Sequence, residues 1–376
     1  MKLQAPFCSA LAFAALTTAG QSALASPPDL HVSGFGTLGY VTTDTNEAEF
    51  RSSARQHKGA TDSSGDWGVD SRLGLQANVT FNSVFSAVGQ VFASRRDKDY
   101  SPDVEWLFGQ ANLNEWASVR VGRMVLPTFL VSDSRHVGYA MHWLRVPMEA
   151  YASYIPTSFD GVQGIFRAEL AGYNITTQLS AGQSEAKLYS VREQTVLSGT
   201  TEGDEMVSLN LVAERGDWTL RAGYTLSRNH EVQFPGSPAV KGDDGFTGLG
   251  VKYDNGSLLV QSEYILRRWN GRGAQDGYFD SDAYYLSAGY RFGAVMPYAT
   301  FSHFRPDGEG YSTGDRRNAQ TTAIGVRWDA VRNLALKAQV EEARGFSGLQ
   351  YVPVAAGFAA RAPSTHIFSI AADFVF

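Results

Sequence analysis

The last nine residues of the chain, 368–376, read Phe-Ser-Ile-Ala-Ala-Asp-Phe-Val-Phe. Apolar side chains occupy every second position of this stretch, up to Phe374 and the terminal Phe376. Because successive side chains of a β-strand point to opposite faces, this spacing predicts a strand with one apolar face that runs to the end of the chain. A soluble protein gains little from such an ending, which favours a strand whose apolar face meets lipid.

The same period of two recurs along the whole chain. The clearest examples are residues 73–81, 218–226, 284–292 and 334–340. The alternation is weakest at 85–94, 104–113 and 296–304. Each predicted strand has an apolar and a polar face, which explains a mean hydropathy of only −0.21 in a chain with 22 Phe, 17 Tyr and 7 Trp. After the N-terminal segment there is no apolar run of about 18 residues, so no helical membrane span is predicted.

Short and long connections between the predicted strands alternate. The seven short ones fall at 82–83, 112–116, 171–172, 215–217, 254–256, 293–294 and 329–333. The eight long ones fall at 42–66, 95–103, 124–160, 182–204, 228–245, 268–281, 305–319 and 345–364. These connections join 16 strands, and an even strand number with short turns at one rim and long loops at the other is typical of outer-membrane barrels. Lipid offers the backbone no hydrogen-bond partner, so an all-β, antiparallel, closed transmembrane barrel with a water-filled lumen is predicted.

The N-terminal segment predicts export. Residues 1–25 combine a positive start at Lys2, an apolar stretch and an Ala-x-Ala cleavage site at Ala23–Ala25, which is the pattern of a signal peptide. The predicted mature barrel domain is therefore 26–376. The single cysteine, Cys8, lies within the predicted signal, so the mature protein has no disulfide.

Composition and motifs argue against several other functions. The net charge of −6 does not favour nucleic-acid binding. The glycines at 34, 36 and 39 match a dinucleotide motif, but they lie within a predicted strand rather than before a helix. The seven histidines are scattered, and no signature of a hydrolase triad is present. We therefore predict no catalytic residue, no metal and no cofactor.

Charged residues within the predicted strands indicate the character of the lumen. An Arg or Lys on the lipid face costs roughly 2–4 kcal/mol at the bilayer midplane, so strand charges are expected to point inward. The alternate strand positions that carry polar side chains form the polar phase. Its basic residues are Arg72, Arg120, Arg167, Arg221, Arg267, Arg291, Arg327 and Lys337, and its acidic residues are Glu169, Glu263 and Glu341. Because basic residues predominate, we predict a modest preference for small anions.

Four local stretches resemble the trimeric general porins of Gram-negative bacteria. These are His31–Gly39, Asp70–Leu75, Val119–Arg123 and Gly164–Arg167. The resemblance implies a homotrimer in the outer membrane, surrounded by lipid and lipopolysaccharide, with periplasmic turns and extracellular loops. It also implies passive diffusion of small hydrophilic solutes, and recognition of Phe374 and Phe376 by the barrel assembly machinery.

In that family the third loop, here 124–160, folds into the lumen and faces a basic wall. By position, the resemblance assigns this wall to Arg72, Arg120, Arg123 and Arg167. The candidate constriction residues on the loop are Asp133, Arg135, Arg145, Glu149 and Asp160. The loop lacks the Pro-Glu-Phe-Gly-Gly stretch of the enteric porins, which leaves its charge pattern open.

Two alternatives remain open at this point. Trp143, Tyr151 and Tyr154 of the third loop either line a solute track, which would favour a substrate-selective channel for sugars or organic anions, or pack the loop against the inner wall. The other alternative is an adhesin or structural barrel without a conducting pore.

Overall fold

A computed structural model describes residues 27–53, 55–96, 99–154, 156–192, 195–233, 238–271, 280–307, 318–345, 351–353 and 364–376. The predicted signal peptide and its cleavage site lie outside the described residues. Among the described residues, no helix combines the length and apolarity needed to cross a membrane.

Sixteen strands form one closed antiparallel barrel, which confirms the predicted fold class. In chain order the strands are β1 (Asp29–Thr43), β2 (Ala48–Phe50), β3 (Arg72–Thr80), β4 (Phe85–Arg96), β5 (Asp99–Asn112), β6 (Ala117–Val125), β7 (Ser158–Leu170), β8 (Tyr173–Arg192), β9 (Thr195–Arg215), β10 (Trp218–Gln233), β11 (Val240–Asp254), β12 (Leu258–Trp269), β13 (Asp280–Tyr290), β14 (Val295–Asp307), β15 (Ala319–Val331), β16 (Leu334–Gly345), β17 (Tyr351–Pro353) and β18 (Ser364–Val375). The short strands β2 and β17 pair with each other in a separate two-stranded sheet that is not part of the barrel. The last strand, β18, pairs with both β16 and β1, and this pairing closes the sheet.

Strand β13 shows how the alternation separates the two faces. Tyr284 and Leu286 point outward, and Leu286 is 54% exposed in the isolated chain. Ala283, Tyr285 and Ser287 point inward and are buried beneath the third loop. Exposed leucine, valine, isoleucine and aromatic side chains follow the outward phase around the barrel. This apolar outer band is the surface that a barrel presents to lipid.

All seven predicted short connections are tight turns between barrel strands. Two predicted long loops differ, because strand pairing continues through much of 95–103 and 182–204. Strands β8 and β9 have 20 and 21 residues, about twice the 9–11 needed to span a bilayer. Beyond the bilayer both faces of a sheet meet water, so backbone pairing persists while the apolar alternation disappears.

The three segments with weak alternation are strands, namely parts of β4, β5 and β14. Their inward phase carries apolar side chains such as Phe108, Met296 and Tyr298, which are buried inside the barrel. Apolar residues on both faces hide the period of two. The cause is the third loop, which gives the inner wall a dry surface to pack against.

The first strand and the C-terminal residue meet at the closing seam of the barrel. The backbone of Phe376 exchanges two hydrogen bonds with Gly34, at 2.8 and 2.9 Å. The rings of Phe376 and Phe374 lie where side chains of Gly34 and Gly36 would be. Two of the three glycines of the apparent dinucleotide motif therefore provide room for the terminal phenylalanines.

Candidate functional site: the constricted lumen

The third loop leaves β6 at Val125 and joins β7 at Ser158, so it spans 126–157 rather than the predicted 124–160. It contains two short 3-10 turns, Ser132–Ser134 and Gly138–Ala140, and one helical turn, α1 (Met148–Tyr151). Its side chains and carbonyls contact the inward faces of strands from β10 through β18 to β1, the Asp70 carboxylate just before β3, and residues of β4 and β5. The loop therefore lies inside the barrel against much of its inner wall.

Aromatic side chains bind the loop to this wall. Trp143, Tyr151 and Tyr154 are each 1% exposed. Trp143 donates from Nε1 to Ser287 Oγ on β13 at 2.8 Å, and Tyr151 stacks on Phe129 with ring centroids 4.4 Å apart. These rings are closed off from the lumen, so they do not form a solute track. Of the two alternatives for these aromatics, the structure shows packing.

Arg145 and Glu149 anchor the loop instead of facing the lumen. Arg145 donates from Nη2 to Asp70 Oδ2 at 2.6 Å and also pairs with Glu341. Glu149 accepts hydrogen bonds from Ser302 at 2.5 Å and Thr321 at 2.6 Å. Both side chains are therefore buried against their partners. The prediction had placed them at the constriction, facing the lumen.

Arg123 and Asp160 also differ from the prediction. Both lie in strands, where they face each other across β6 and β7 and form a bidentate ion pair at 2.9 and 2.6 Å. In the strand alternation they share the phase of the exposed Val121 and Val162, opposite to Arg120 and Gln163. We therefore leave Arg123 and Asp160 out of the lumen wall.

Five arginines of the inner surface, one of them on the third loop itself, form a group that we call the arginine wall. Its members are Arg72 on β3, Arg120 on β6, Arg167 on β7, Arg221 on β10 and Arg135 on the facing loop. Within the described part of the chain, none of the five has a carboxylate within ion-pair distance. The positive charge of the arginine wall is therefore not neutralised by direct ion pairs.

The partners that these arginines do have are neutral. Arg120 donates from Nε to Gln110 Oε1 at 2.7 Å, and Arg221 donates to Asn210 Oδ1 at 2.7 Å and to the Pro127 carbonyl at 2.6 Å. The Nε of Arg72 is buried without a hydrogen-bond partner. Neutral acceptors hold the guanidinium groups in place and leave their charge intact.

Two loop residues modify this charge. Asp133 is exposed on the loop and close enough to Arg120 and Arg221 for their charges to interact, which makes it an acidic residue of the lumen. Burial lowers the pKa of His136 to about 4, although the nearby Glu105 carboxylate raises it. The His136 imidazole is therefore neutral at pH 7 and adds no positive charge.

The remaining predicted inward cations are paired. Arg267 pairs with Asp244 at 2.6 Å, Arg291 with Asp254 at 2.7 Å, Arg327 with Asp329 at 2.7 Å and Lys337 with Asp373 at 2.8 Å. The alternation of inward and outward positions along each strand placed these side chains inside the barrel. It did not show their acidic partners, which come from other positions in the sheet. Only a part of the inward basic set is therefore free to act on a passing ion.

The connection 44–71 was missed as a lumen element. Its apolar residues Phe50, Ala60 and Val69 pack against the inward Val41 and Ile367, so the segment folds into the mouth of the barrel. The Arg145 guanidinium lies 4.8 Å from the centre of the Phe50 ring. The apolar residues within this otherwise polar loop were the sequence signal that could have indicated its packing inside the barrel.

Among the described residues, no group of His, Cys, Asp or Glu is arranged to hold a metal ion.

Comparisons with known proteins agree with this architecture. A family profile described as Gram-negative porin matches residues 8–376. A comparison with curated proteins gave no match.

Solved structures of outer-membrane proteins share the fold along nearly the whole chain. OmpF of Salmonella typhi in complex with daunomycin has a TM-score of 0.58 at 13% identity, with 92% of this chain and 97% of that chain covered. An anion-selective porin from Comamonas acidovorans has a TM-score of 0.57 at 11% identity, covering 93% and 100%. The trimer form of in-vitro folded OmpT from Vibrio cholerae has a TM-score of 0.57 at 13% identity, covering 93% and 99%. At such identities the likeness shows the fold alone.

The profile match over nearly the whole chain, the closed barrel of 16 strands and the porin fold of its structural neighbours lead to one assignment. This chain belongs to the Gram-negative porins, which are channel proteins of the outer membrane and not enzymes.

Proposed function

We propose that this porin conducts small hydrophilic solutes and ions by passive diffusion, with a modest preference for anions. The observation that carries the proposal is the arginine wall, where five guanidinium groups without carboxylate partners face a lumen that contains Asp133. An anion that passes this wall is attracted, and a cation is repelled, by charge that no direct ion pair among the described residues neutralises and that Asp133 offsets only in part.

The expected size of the preference follows from Coulomb's law. A guanidinium about 7 Å from an ion in a water-like medium changes the ion's energy by about 0.6 kcal/mol, which corresponds to roughly a threefold change in occupancy. The Debye length is about 8 Å at 0.15 M salt, so the preference should weaken as the salt concentration rises. Several arginines acting together therefore support a severalfold, salt-dependent preference.

The experiment is a zero-current potential across a planar bilayer that separates two KCl concentrations. We expect a potential of the sign given by chloride permeating faster than potassium. The triple variant Arg72→Gln, Arg120→Gln, Arg167→Gln should lower the chloride-to-potassium permeability ratio severalfold, because it removes three uncompensated charges.

Arg344→Gln is the matched control, because Arg344 is exposed at the outer rim and already pairs with Glu342 at 2.8 Å. It should leave the zero-current potential unchanged. A potassium preference of the unaltered protein would contradict the proposal, and so would a triple variant with the original potential.

The proposal includes a homotrimer embedded in lipid and lipopolysaccharide. The apolar outer face supports the lipid contact, and the trimer form of in-vitro folded OmpT from Vibrio cholerae supports the oligomeric state. It also keeps Phe374 and Phe376 as the signal read by the barrel assembly machinery, supported by their position at the exposed end of the closing strand. Chemical cross-linking of the detergent-purified protein tests the trimer.

A further inference from the structure

We propose that Lys337 is the positioning residue that sets the width of the constriction. Lys337 Nζ donates hydrogen bonds to the carbonyl oxygens of Gly138, Met141 and Trp143, each at 2.7 Å. These three residues lie near the middle of the third loop, in the segment 138–143 that we call the loop tip. The inference rests on the proposed function only in that the barrel must conduct.

The chemistry of the ammonium group suits this position. An ammonium has three donors around one nitrogen, and the loop tip brings three carbonyl oxygens to that point. A guanidinium is a planar fork, so an arginine could not reach the same three oxygens from one atom. A methionine of similar length would donate to none of them.

The charge of Lys337 is compensated behind the loop. Its Nζ lies 2.8 Å from Asp373 Oδ2 on β18, and both side chains are completely buried. Asp373 in turn accepts a hydrogen bond from Thr37 Oγ1 at 2.5 Å. Lys337 is therefore neutralised, and it acts on the lumen through the position of the loop rather than through its own field.

A second cation supports the same contact from the neighbouring strand. Arg327 donates from Nη1 to the carbonyl oxygens of Tyr139 at 2.6 Å and Met141 at 2.7 Å. Its charge is paired with Asp329. The loop tip is thus held through its backbone carbonyls in addition to its side-chain contacts, such as the hydrogen bond from Trp143 Nε1 to Ser287 Oγ.

The tip also fits the wall closely at Gly138. A methyl group on this residue would lie 2.6 Å from Asp373 Cγ and 2.7 Å from Thr37 Oγ1, well inside normal contact distance. Substituting Gly138 should therefore lift the tip from Lys337 without changing any charge. Gly138→Ala should therefore release the tip by steric contact, whereas Lys337→Met should release it by loss of the ammonium group.

The geometry separates the width of the pore from its ion preference. The loop tip lies against β1, β16 and β18, whereas Arg120 and Arg167 lie on β6 and β7. Release of the tip changes the free cross-section, whereas Arg72, Arg120 and Arg167 stay on the barrel strands. Lys337 therefore governs which solutes fit, and the arginine wall governs which sign of charge is favoured.

The experiment measures both properties on the full-length folded protein in liposomes and planar bilayers. For Lys337→Met and for Gly138→Ala, we expect the rate of liposome swelling with a trisaccharide, relative to a monosaccharide, to rise at least severalfold. We also expect larger fluctuations of the open-channel current and a zero-current potential in a KCl gradient that keeps its sign and changes much less than in the triple arginine variant. The double variant Lys337→Met, Asp373→Asn should behave in the same way, which excludes an effect of the orphaned carboxylate.

Two controls make the result specific. Gly109→Ala adds a methyl group where no atom lies within 4 Å, and it should change neither property. Arg72→Gln should shift the zero-current potential and leave the sugar cutoff unchanged. Folding of each variant is checked by the shift in gel mobility on heating, and Gly138→Ala supplies the test if Lys337→Met does not fold.

An unchanged sugar cutoff in the folded variants would overturn the inference. A shift of the zero-current potential in Lys337→Met with an unchanged cutoff would also overturn it, because Lys337 would then act as a lumen charge. A protein with no chloride preference whose cutoff still changes with Lys337→Met would refute the proposed anion preference and leave the positioning role intact.

Discussion

Replacing Arg145 by methionine is expected to lower the free energy of unfolding by about 3–5 kcal/mol, the usual cost of breaking a buried ion pair from one side. The Arg145 side chain is 3% exposed and lies between the carboxylates of Asp70 and Glu341. Without the guanidinium, two like charges would remain buried next to each other. Unfolding by guanidinium chloride in lipid vesicles, followed by tryptophan fluorescence, measures the change.

A matched variant separates the loss of the cation from the loss of packing. Arg145→Met combined with Asp70→Asn and Glu341→Gln removes all three charges and keeps the side-chain volumes similar. Because replacement of a whole buried ionic cluster by neutral groups is often tolerated, this variant should recover most of the lost stability. A change of less than 1 kcal/mol in Arg145→Met alone would show that the cluster is not the anchor that we infer.

Replacing Leu179 by arginine is expected to cost roughly 2–4 kcal/mol in a bilayer, because the substitution places a charge on the lipid face near the midplane. Leu179 is 49% exposed on the outward phase of β8, and its neighbours across the sheet are Gly164 and Leu209. Refolding into vesicles and titration with guanidinium chloride measures this cost.

Thr176→Arg is the control on the same strand. Thr176 lies on the inward phase, directly across from Arg167, where water solvates a charge. It should change stability by much less than Leu179→Arg does. Equal losses for the two variants would contradict the assignment of the outward phase to lipid, on which the membrane-spanning description depends.

The alternation of side chains predicted the barrel well. Stretches such as 284–292 identified both a strand and the face that meets lipid, and the turns at 171–172 and 293–294 lie as predicted. The boundaries of β8 and β9 were missed, because above the bilayer no apolar face marks a strand. Strand β5 was weakly marked because Phe108 on its inward phase packs inside the barrel near the third loop.

The lumen was predicted less completely than the wall. The alternation of side chains identified Arg120, Arg167 and Lys337 as inward residues, but it could not distinguish a free positive charge from one that is neutralised. In the structure Lys337 is neutralised by Asp373 and bound to the loop, whereas Arg120 and Arg167 keep their charge. The family resemblance placed Arg123 in the basic wall, but its bidentate contact with Asp160 lies on the opposite phase.

The sequence by itself determined that this protein is a closed barrel of 16 antiparallel strands with an apolar outside and a polar inside. It could do so because strand alternation and turn chemistry are local properties, set by residues within a few positions of each other. The tertiary structure alone decided which charges are free, because the partners come from distant parts of the chain. Arg145 and Glu341 are separated by 196 positions, and only closure of the barrel and insertion of the loop bring them together.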